Sequence, residues 1–194
     1  WPINAPEKCL KEDCIDTICR FEGELVLKDV IKYFKLKKDW RKVKGIWYKK
    51  DGEIIKNDNQ PLVNLNTILP DYSLYPPERF NRPMGGKIVK SVGVETYRGC
   101  PYKCTFCNSP MTRSLDKNYL RRKSIDTVEA ELNNYVKLYN PNFWFIIDDS
   151  FVARPKRELF QLLKVLKKFN IPWWCNTRLE NVDRDILDAM SEAH

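Results

Sequence analysis

Three cysteines stand close together in Arg98-Gly99-Cys100-Pro101-Tyr102-Lys103-Cys104-Thr105-Phe106-Cys107, spaced Cys-x3-Cys-x2-Cys. Thiolates this near each other, on a loop opened by Gly99-Cys100-Pro101, are able to converge on one metal centre. Soft thiolates select zinc or an iron–sulfur cluster. A closed structural zinc site needs four protein ligands, and the sole histidine, His194, lies at the far end of the chain. An electron-transfer [4Fe–4S] site normally takes four cysteines, and Cys175 is remote in sequence. Three close cysteines on their own leave one iron open to a small molecule.

The elements that carry this loop follow from the patterning. After it, strand–loop–helix units repeat. A strand over Ile88–Thr96 runs into the cysteines. Ser124 caps a helix whose apolar face is Val128, Leu132, Tyr135, Val136 and Tyr139, and Asn140-Pro141 ends it. Phe143-Trp144-Phe145-Ile146-Ile147 is a continuous apolar run, the pattern of a parallel strand covered on both faces. Pro155 suits the first turn of a helix through Leu159, Leu162, Leu163 and Leu166, stopped by Asn170 and Pro172. Trp173–Thr177 is a third strand, and Asp183 opens a helix with Ile186, Leu187 and Met190. Three βα units imply a parallel sheet with right-handed crossovers. It suits either an open doubly wound sheet or part of a barrel.

Before the loop, a turn of helix is expected near Pro6-Glu7, then a strand at Ile15–Arg20. A helix follows with Leu27, Val30, Ile31 and Phe34 on one face. Lys50-Asp51-Gly52 joins Ile46-Trp47-Tyr48 to Glu53-Ile54-Ile55 as a hairpin. Residues 57–87 hold five of the 12 prolines and Gly85-Gly86. Such a stretch carries no long helix or central strand, and a domain boundary is placed there.

In parallel βα proteins, ligands gather at the C-terminal ends of the strands. The cysteines follow strand one, Asp148 and Asp149 strand two, and Thr177 and Arg178 strand three. All are expected on one rim.

Cys100-x3-Cys104-x2-Cys107, with Phe106 before the last cysteine, resembles the signature of the radical S-adenosylmethionine (SAM) superfamily. Glu95-Thr96-Tyr97-Arg98-Gly99, Asn108-Ser109-Pro110, Arg121-Arg122-Lys123-Ser124, Ile147-Asp148-Asp149-Ser150-Phe151 and Thr177-Arg178-Leu179-Glu180 resemble its cobalamin-binding subgroup. Asp16-Thr17-Ile18-Cys19-Arg20-Phe21-Glu22-Gly23-Glu24 resembles the end of that subgroup's cobalamin domain, with Phe21 in place of a usual glycine. The match is densest from 87 to 190.

The resemblance implies an α/β fold: the first half of a partial (β/α)6 TIM-like barrel, residues 87–194. A C-terminal remnant of a Rossmann-like cobalamin-binding domain (1–40) and a hairpin with a Pro-rich linker (41–86) precede it. It implies that Cys100, Cys104 and Cys107 ligate a [4Fe–4S] cluster whose open iron takes SAM. Reductive cleavage of SAM then gives a 5′-deoxyadenosyl radical, the cofactors supplying the radical chemistry. Asp148 or Asp149 would pair with the SAM ammonium and Arg178 with its carboxylate, Phe106 lying by the adenine. The structural alternatives are loop-ordering aspartates, an Arg178–Glu180 salt bridge and packing of Phe106. Cobalamin-dependent methyl transfer to an unactivated carbon or to phosphorus leads, with radical ring formation or rearrangement second. Cobalamin is implied for a parent protein only, because the Asp-x-His-x-x-Gly loop that supplies its lower ligand in some members does not occur here. A small-molecule substrate and an electron donor such as flavodoxin or ferredoxin are the implied partners.

Two other classes use the same residues. A zinc-dependent nucleic-acid module would combine the cysteines with the +8 net charge. A ferredoxin-like electron carrier would recruit Cys175. Lysines 32, 35, 37, 38, 42, 44, 49 and 50 are spread over a helix and a hairpin, which reads as a solvated surface without a nucleic-acid partner. Arg121-Arg122-Lys123 likewise reads as a solvated turn. Cys9, Cys14 and Cys19 read as apolar positions, with a second cluster as the alternative, and Cys175 reads as core.

The 194 residues are 43% hydrophobic, which suits globular domains. No apolar run is long enough to span a membrane. Seven cysteines, an odd number in a chain large enough for its own core, suit a reducing cytoplasm rather than a disulfide framework. The start at Trp1-Pro2-Ile3-Asn4, with no Met and no signal peptide, is expected to lie inside a longer protein.

Overall fold

The structure is a computed structural model that describes residues 2–194. It divides into two compact units. The first takes the chain as far as Asn64, together with Ser114–Asp116, and the second holds Leu65–Arg113 and Lys117–His194.

In the first unit, helix α1 (Pro6–Lys11), strand β1 (Thr17–Cys19) and helix α2 (Gly23–Lys35) precede the hairpin of β2 (Ile46–Lys50) and β3 (Glu53–Lys56). The strands form an antiparallel sheet in the order β1-β2-β3. Asp51 and Gly52 both take positive φ (50° and 82°), the backbone a two-residue hairpin turn requires. Two small cores result, one around Cys9, Leu10 and Ile18, the other around Val26, Val43 and Ile46. The α2 face differs from expectation. Val26, Val30 and Tyr33 pack on the hairpin side, whereas Leu27, Ile31 and Phe34 are exposed, Phe34 by 73%. The helix has two apolar stripes, and periodicity alone does not say which one the hairpin takes.

The second unit is built on a four-stranded sheet, its strands adjacent in chain order. Strands β4 (Asn81–Met84), β5 (Lys87–Val94), β8 (Phe143–Ile146) and β9 (Trp173–Cys175) alternate with helices α4 (Ile125–Tyr139), α5 (Lys156–Phe169) and α6 (Arg184–Glu192). β5, β8 and β9 run parallel, as the three βα units require. β4 pairs antiparallel with the start of β5 through Gly85-Gly86, both at positive φ. This hairpin lies inside the Pro-rich stretch and tolerates Pro83 because β4 is an edge strand. Short strands β6 (Tyr97–Arg98) and β7 (Arg121–Arg122) and helix α3 (Ser109–Ser114) frame the cysteine loop.

The caps explain where the helices begin and end. Ser124 Oγ accepts from Thr127 N–H at 3.2 Å, and Asp183 Oδ1 accepts from Ile186 N–H at 2.9 Å. Asn140 and Asn170 end α4 and α5 in the left-handed region. Pro155 stands at the N-cap of α5, just outside its expected first turn. Val92, Val94, Trp144 and Ile146 face the helices and pack on Val128, Leu132, Leu159, Leu162 and Leu166. Each large side chain in that core contributes about 1.5–3 kcal/mol by leaving water. The apolar run of β8 is therefore covered on one face rather than on two. Phe145, Ile147 and Trp174 lie on the other face, where Ile147 and Trp174 are exposed.

Candidate functional site

The cysteine loop leaves the sheet through β6 and returns through β7. Tyr97 pairs with Arg122 and Arg98 with Arg121, so a short antiparallel ladder closes the loop at its base. Lys123 N–H donates to Thr96 O at 3.0 Å. The Lys123 side chain is buried against Glu131 of α4 at 2.5 Å, and Glu131 accepts from the Tyr135 hydroxyl at 2.8 Å. Arg122 meets Glu158 at 3.0 Å. Arg121-Arg122-Lys123 is thus a paired strand end with a buried lysine, which corrects its reading as a solvated turn.

Within the loop, Gly99 adopts φ +92°, and a Cβ there would stand 3.0 Å from both Leu120 and Tyr119. Only glycine fits that conformation and that approach. Arg113 donates to Cys100 O at 3.0 Å, and Arg98 makes a two-pronged pair with Glu95 at 2.7 and 2.9 Å.

Cys100, Cys104 and Cys107 are free thiols, the first two half-buried and the third exposed. Burial pushes the Cys100 thiol up; the Tyr102 backbone N–H opposes this, and Asp149, Cys107 and Cys104 add to it. Cys100 therefore senses both other thiols. Cys107 Sγ accepts from the Ser109 N–H and donates to the Ser109 hydroxyl oxygen, both at 3.4 Å, and these contacts with Ser109 hold the Cys107 thiol low. Among the described residues, no three His, Cys, Asp or Glu side chains stand close enough together to hold one ion. A cubane cluster makes a different demand. Each of its irons takes one thiolate, so three sulfurs around it do not share an ion. The donor set fits that group. Hydrogen bonds of the kind Ser109 gives Cys107 also tune such clusters.

The three strand ends do share one rim. Arg178, after β9, donates through Nη1 to Cys104 Sγ at 3.4 Å and stacks over the Tyr102 ring at 4.4 Å. It also pairs with Glu180, so the salt bridge weighed from the sequence is present. Asp149, after β8, is exposed and accepts from the Ser109 hydroxyl at 3.3 Å. Phe106 is 92% exposed at the loop tip.

Asp148 has a different environment and is 1% exposed. Its Oδ1 accepts from the N–H groups of Thr96 (2.7 Å) and Tyr97 (3.0 Å). Its Oδ2 accepts from the Thr96 hydroxyl and from Arg154 Nη2 at 2.8 Å. Arg154, equally buried, also donates to Phe151 O at 2.7 Å. Both Asp148 oxygens are occupied by protein donors that tie the end of β5 to the end of β8. Of the paired aspartates, Asp149 is the one open to solvent. Two buried hydroxyls at these strand ends, Ser150 Oγ and Thr177 Oγ1, have no protein partner.

Sequence reasoning gave no role to Thr96 or Ser109, which it met only within motifs, and missed Arg154 and the Lys123–Glu131 pair. Glu131 was detectable, since it falls on the buried stripe of α4 between Val128 and Leu132, where a lone charge demands a partner. Nothing in the spacing marks the others. Cys175 packs into the core against the helices, and burial pushes its thiol up to about 12. It lies in register with Ile146, on the helix-covered face of the sheet. Cys9 is core, but Cys14 is exposed, which corrects its reading as an apolar position.

No family model matches the chain. It is 28% identical over 195 residues to the uncharacterized methyltransferase PH0819 of Pyrococcus horikoshii, covering 97% of this chain and 40% of that protein. It is 26% identical over 188 residues to the anaerobic magnesium-protoporphyrin IX monomethyl ester cyclase of Rubrivivax gelatinosus, covering 93% of this chain and 32% of the cyclase. The chain thus spans well under half the length of either relative. Among solved structures, the radical SAM methyltransferase TsrM from Kitasatospora setae superposes with a TM-score of 0.70 at 13% identity, over 92% of this chain and 36% of TsrM. TsrM has been seen with a SAM analogue and tryptophan, and with cobalamin and a [4Fe–4S] cluster. The mixed α/β fold is that of radical SAM enzymes, and the resemblance to their cobalamin-binding subgroup is borne out.

Proposed function

We propose that this chain, a relative of the cobalamin-binding radical SAM enzymes, is the part of such an enzyme that holds the cluster and SAM. Cys100, Cys104 and Cys107 would each ligate one iron of a [4Fe–4S] cluster, leaving the remaining iron for SAM. The observation that carries the proposal is the meeting of three free thiols with Asp149 and Arg178 on one sheet rim. β5, β8 and β9 would be the first strands of a partial (β/α)6 barrel (87–194), residues 1–40 the tail of a Rossmann-like cobalamin domain, and 41–86 the hairpin and linker.

When bound, the cluster and SAM supply a 5′-deoxyadenosyl radical by one-electron cleavage of a carbon–sulfur bond. The chain's own residues hold and orient. Asp149 offers an exposed carboxylate to the SAM ammonium, while Asp148 fixes the strand ends beneath it. Arg178 offers its planar fork to the SAM carboxylate, trading its contact with Glu180. The loop backbone beside Phe106 would hold the adenine. Ser109 holds the Cys107 sulfur as an acceptor.

Cobalamin-dependent methyl transfer to an unactivated carbon or to phosphorus is the leading reaction, supported by the methyltransferase relatives. Radical ring formation is the second, supported by the cyclase. A small-molecule substrate, a flavodoxin- or ferredoxin-like electron donor and a reducing cytoplasm complete the proposal. Among the described residues no helix is long and apolar enough to cross a membrane.

The test is anaerobic reconstitution with iron and sulfide, followed by electron paramagnetic resonance of the reduced protein with and without SAM. A [4Fe–4S] signal that SAM perturbs and Cys104→Ala abolishes is expected. Tight zinc binding with no cluster formed would sink the proposal.

A further inference from the structure

A cavity of 710 Å³ lies on the open face of the sheet, under the β4–β5 hairpin, and its lining includes Glu78, Arg79, Arg82, Ser91, Gly93 and Ile147. Its size is that of a site for a small organic molecule. Ser91 is 3% exposed, yet its Oγ has no hydrogen-bond partner in the protein. A buried hydroxyl left unsatisfied is costly unless something else meets it. The lining holds two arginines, Arg79 and Arg82, and one acidic residue, Glu78, so it is net positive. No ion pair involves Arg79 or Arg82 among the described residues.

Beside the cavity, outside its lining, two aromatic rings are stacked. Arg82 stands over the Phe145 ring at 5.5 Å, and Phe145 stacks on Trp174 with centroids 4.7 Å apart and planes 16° from parallel. Trp174 is partly open to solvent. The same sheet face continues through Ile147 to the strand end that carries Asp149.

We infer that this cavity binds a small organic molecule bearing an oxyanion, either carboxylate or phosphate, as the substrate presented to the cysteine rim. Arg79 and Arg82 take the oxyanion, Ser91 Oγ takes one polar atom, and the body of the molecule fills the cavity beside Gly93 and Ile147. Gly93 leaves the room: a Cβ there would already be in contact with Ile147 and the Tyr72 hydroxyl, both at 3.6 Å. That the bound molecule is a substrate rests on the function proposed above. That it binds at all does not.

The binding is therefore measured on the whole chain without cluster, by saturation-transfer NMR of the ligand protons. The probes are naphthalene-2-carboxylate, 1-naphthyl phosphate and the neutral naphthalene-2-carboxamide. At least one acid is expected to bind ten times more tightly than the amide, and the better acid identifies the oxyanion. Arg79→Gln with Arg82→Gln should weaken that acid at least tenfold and leave the circular dichroism unchanged. Gly93→Leu should weaken acid and amide alike by filling the cavity. Equal affinity for acid and amide overturns the inference. So does acid binding that the double arginine substitution leaves unchanged, or the absence of saturation transfer from all three probes at millimolar concentration. A failed cluster reconstitution leaves these titrations intact, so the two proposals fail separately.

Discussion

Replacing Arg154 by Met leaves the Asp148 carboxylate buried without its charge partner. The two side chains are 1% and 0% exposed and meet at 2.8 Å. Breaking a buried pair from one side typically costs about 3–5 kcal/mol. The variant also removes donors to Thr96 Oγ1 and Phe151 O. Against a total stability of about 5–15 kcal/mol for a domain, that loss should lower the thermal midpoint of the second unit by roughly 10–20 °C. The pH dependence identifies the cause. Burial pushes the Asp148 carboxyl up, and Arg154 is the largest influence holding it down. Without Arg154 the folded-state pKa rises further above the unfolded one, so the folded variant binds more protons in that window. The variant is then most stable in acid, with Asp148 protonated, and loses stability as pH rises towards the folded pKa. Urea unfolding of parent and variant at several pH values between 5 and 8 reads both effects. A deficit that is below about 1 kcal/mol at neutral pH, or that grows towards acid, would refute the account.

The other expectations are briefer. Lys123→Met should cost about 3–5 kcal/mol in urea unfolding, and adding Glu131→Leu should recover much of it, because the pair is costly mainly when broken from one side. Gly99→Ala should cost about 1–3 kcal/mol, read by thermal unfolding, because it forces a side chain to φ +92° against Leu120 and Tyr119. In the native protein at pH 8, iodoacetamide should modify exposed Cys14 and leave Cys175 intact by mass spectrometry. Burial holds the Cys175 thiol at about 12, and thiolate is the reactive form. Phe34→Ser should change stability by no more than about 0.5 kcal/mol, since its side chain lies in solvent.

What the sequence makes legible is periodic or chemically distinctive. The parallel order of β5, β8 and β9, the caps at Ser124 and Asp183 and the left-handed asparagines follow from local rules that tertiary structure has no reason to override. The cysteine spacing is equally local. Strand β4 was hidden because Pro83 and the prolines before it argue against a central strand, and β4 is an edge strand. The β6–β7 ladder was hidden because two-residue strands have no period. The choice between the two stripes of α2 depends on what the hairpin offers, and that information lies some ten residues further along the chain.

The paired aspartates show why a site can be located from sequence while its roles cannot be divided. Asp148 and Asp149 are adjacent and chemically identical, and both follow an apolar strand. On a strand end, neighbouring side chains point to opposite faces, so one must turn inward and the other outward. The inward one is met by three donors from Thr96 and Tyr97 and by an arginine six residues on. The outward one is then free to meet a ligand, held at a height that the inward one sets. Asp149→Asn and Asp148→Asn should therefore separate in their effects. The first should weaken the response of the reduced cluster's resonance to SAM and leave cluster content unchanged. The second should lower cluster content itself, because Thr96 and Tyr97 anchor the loop that carries all three cysteines. If both substitutions reduce cluster content equally, the two carboxylates share one structural role, and the division drawn from their burial is wrong.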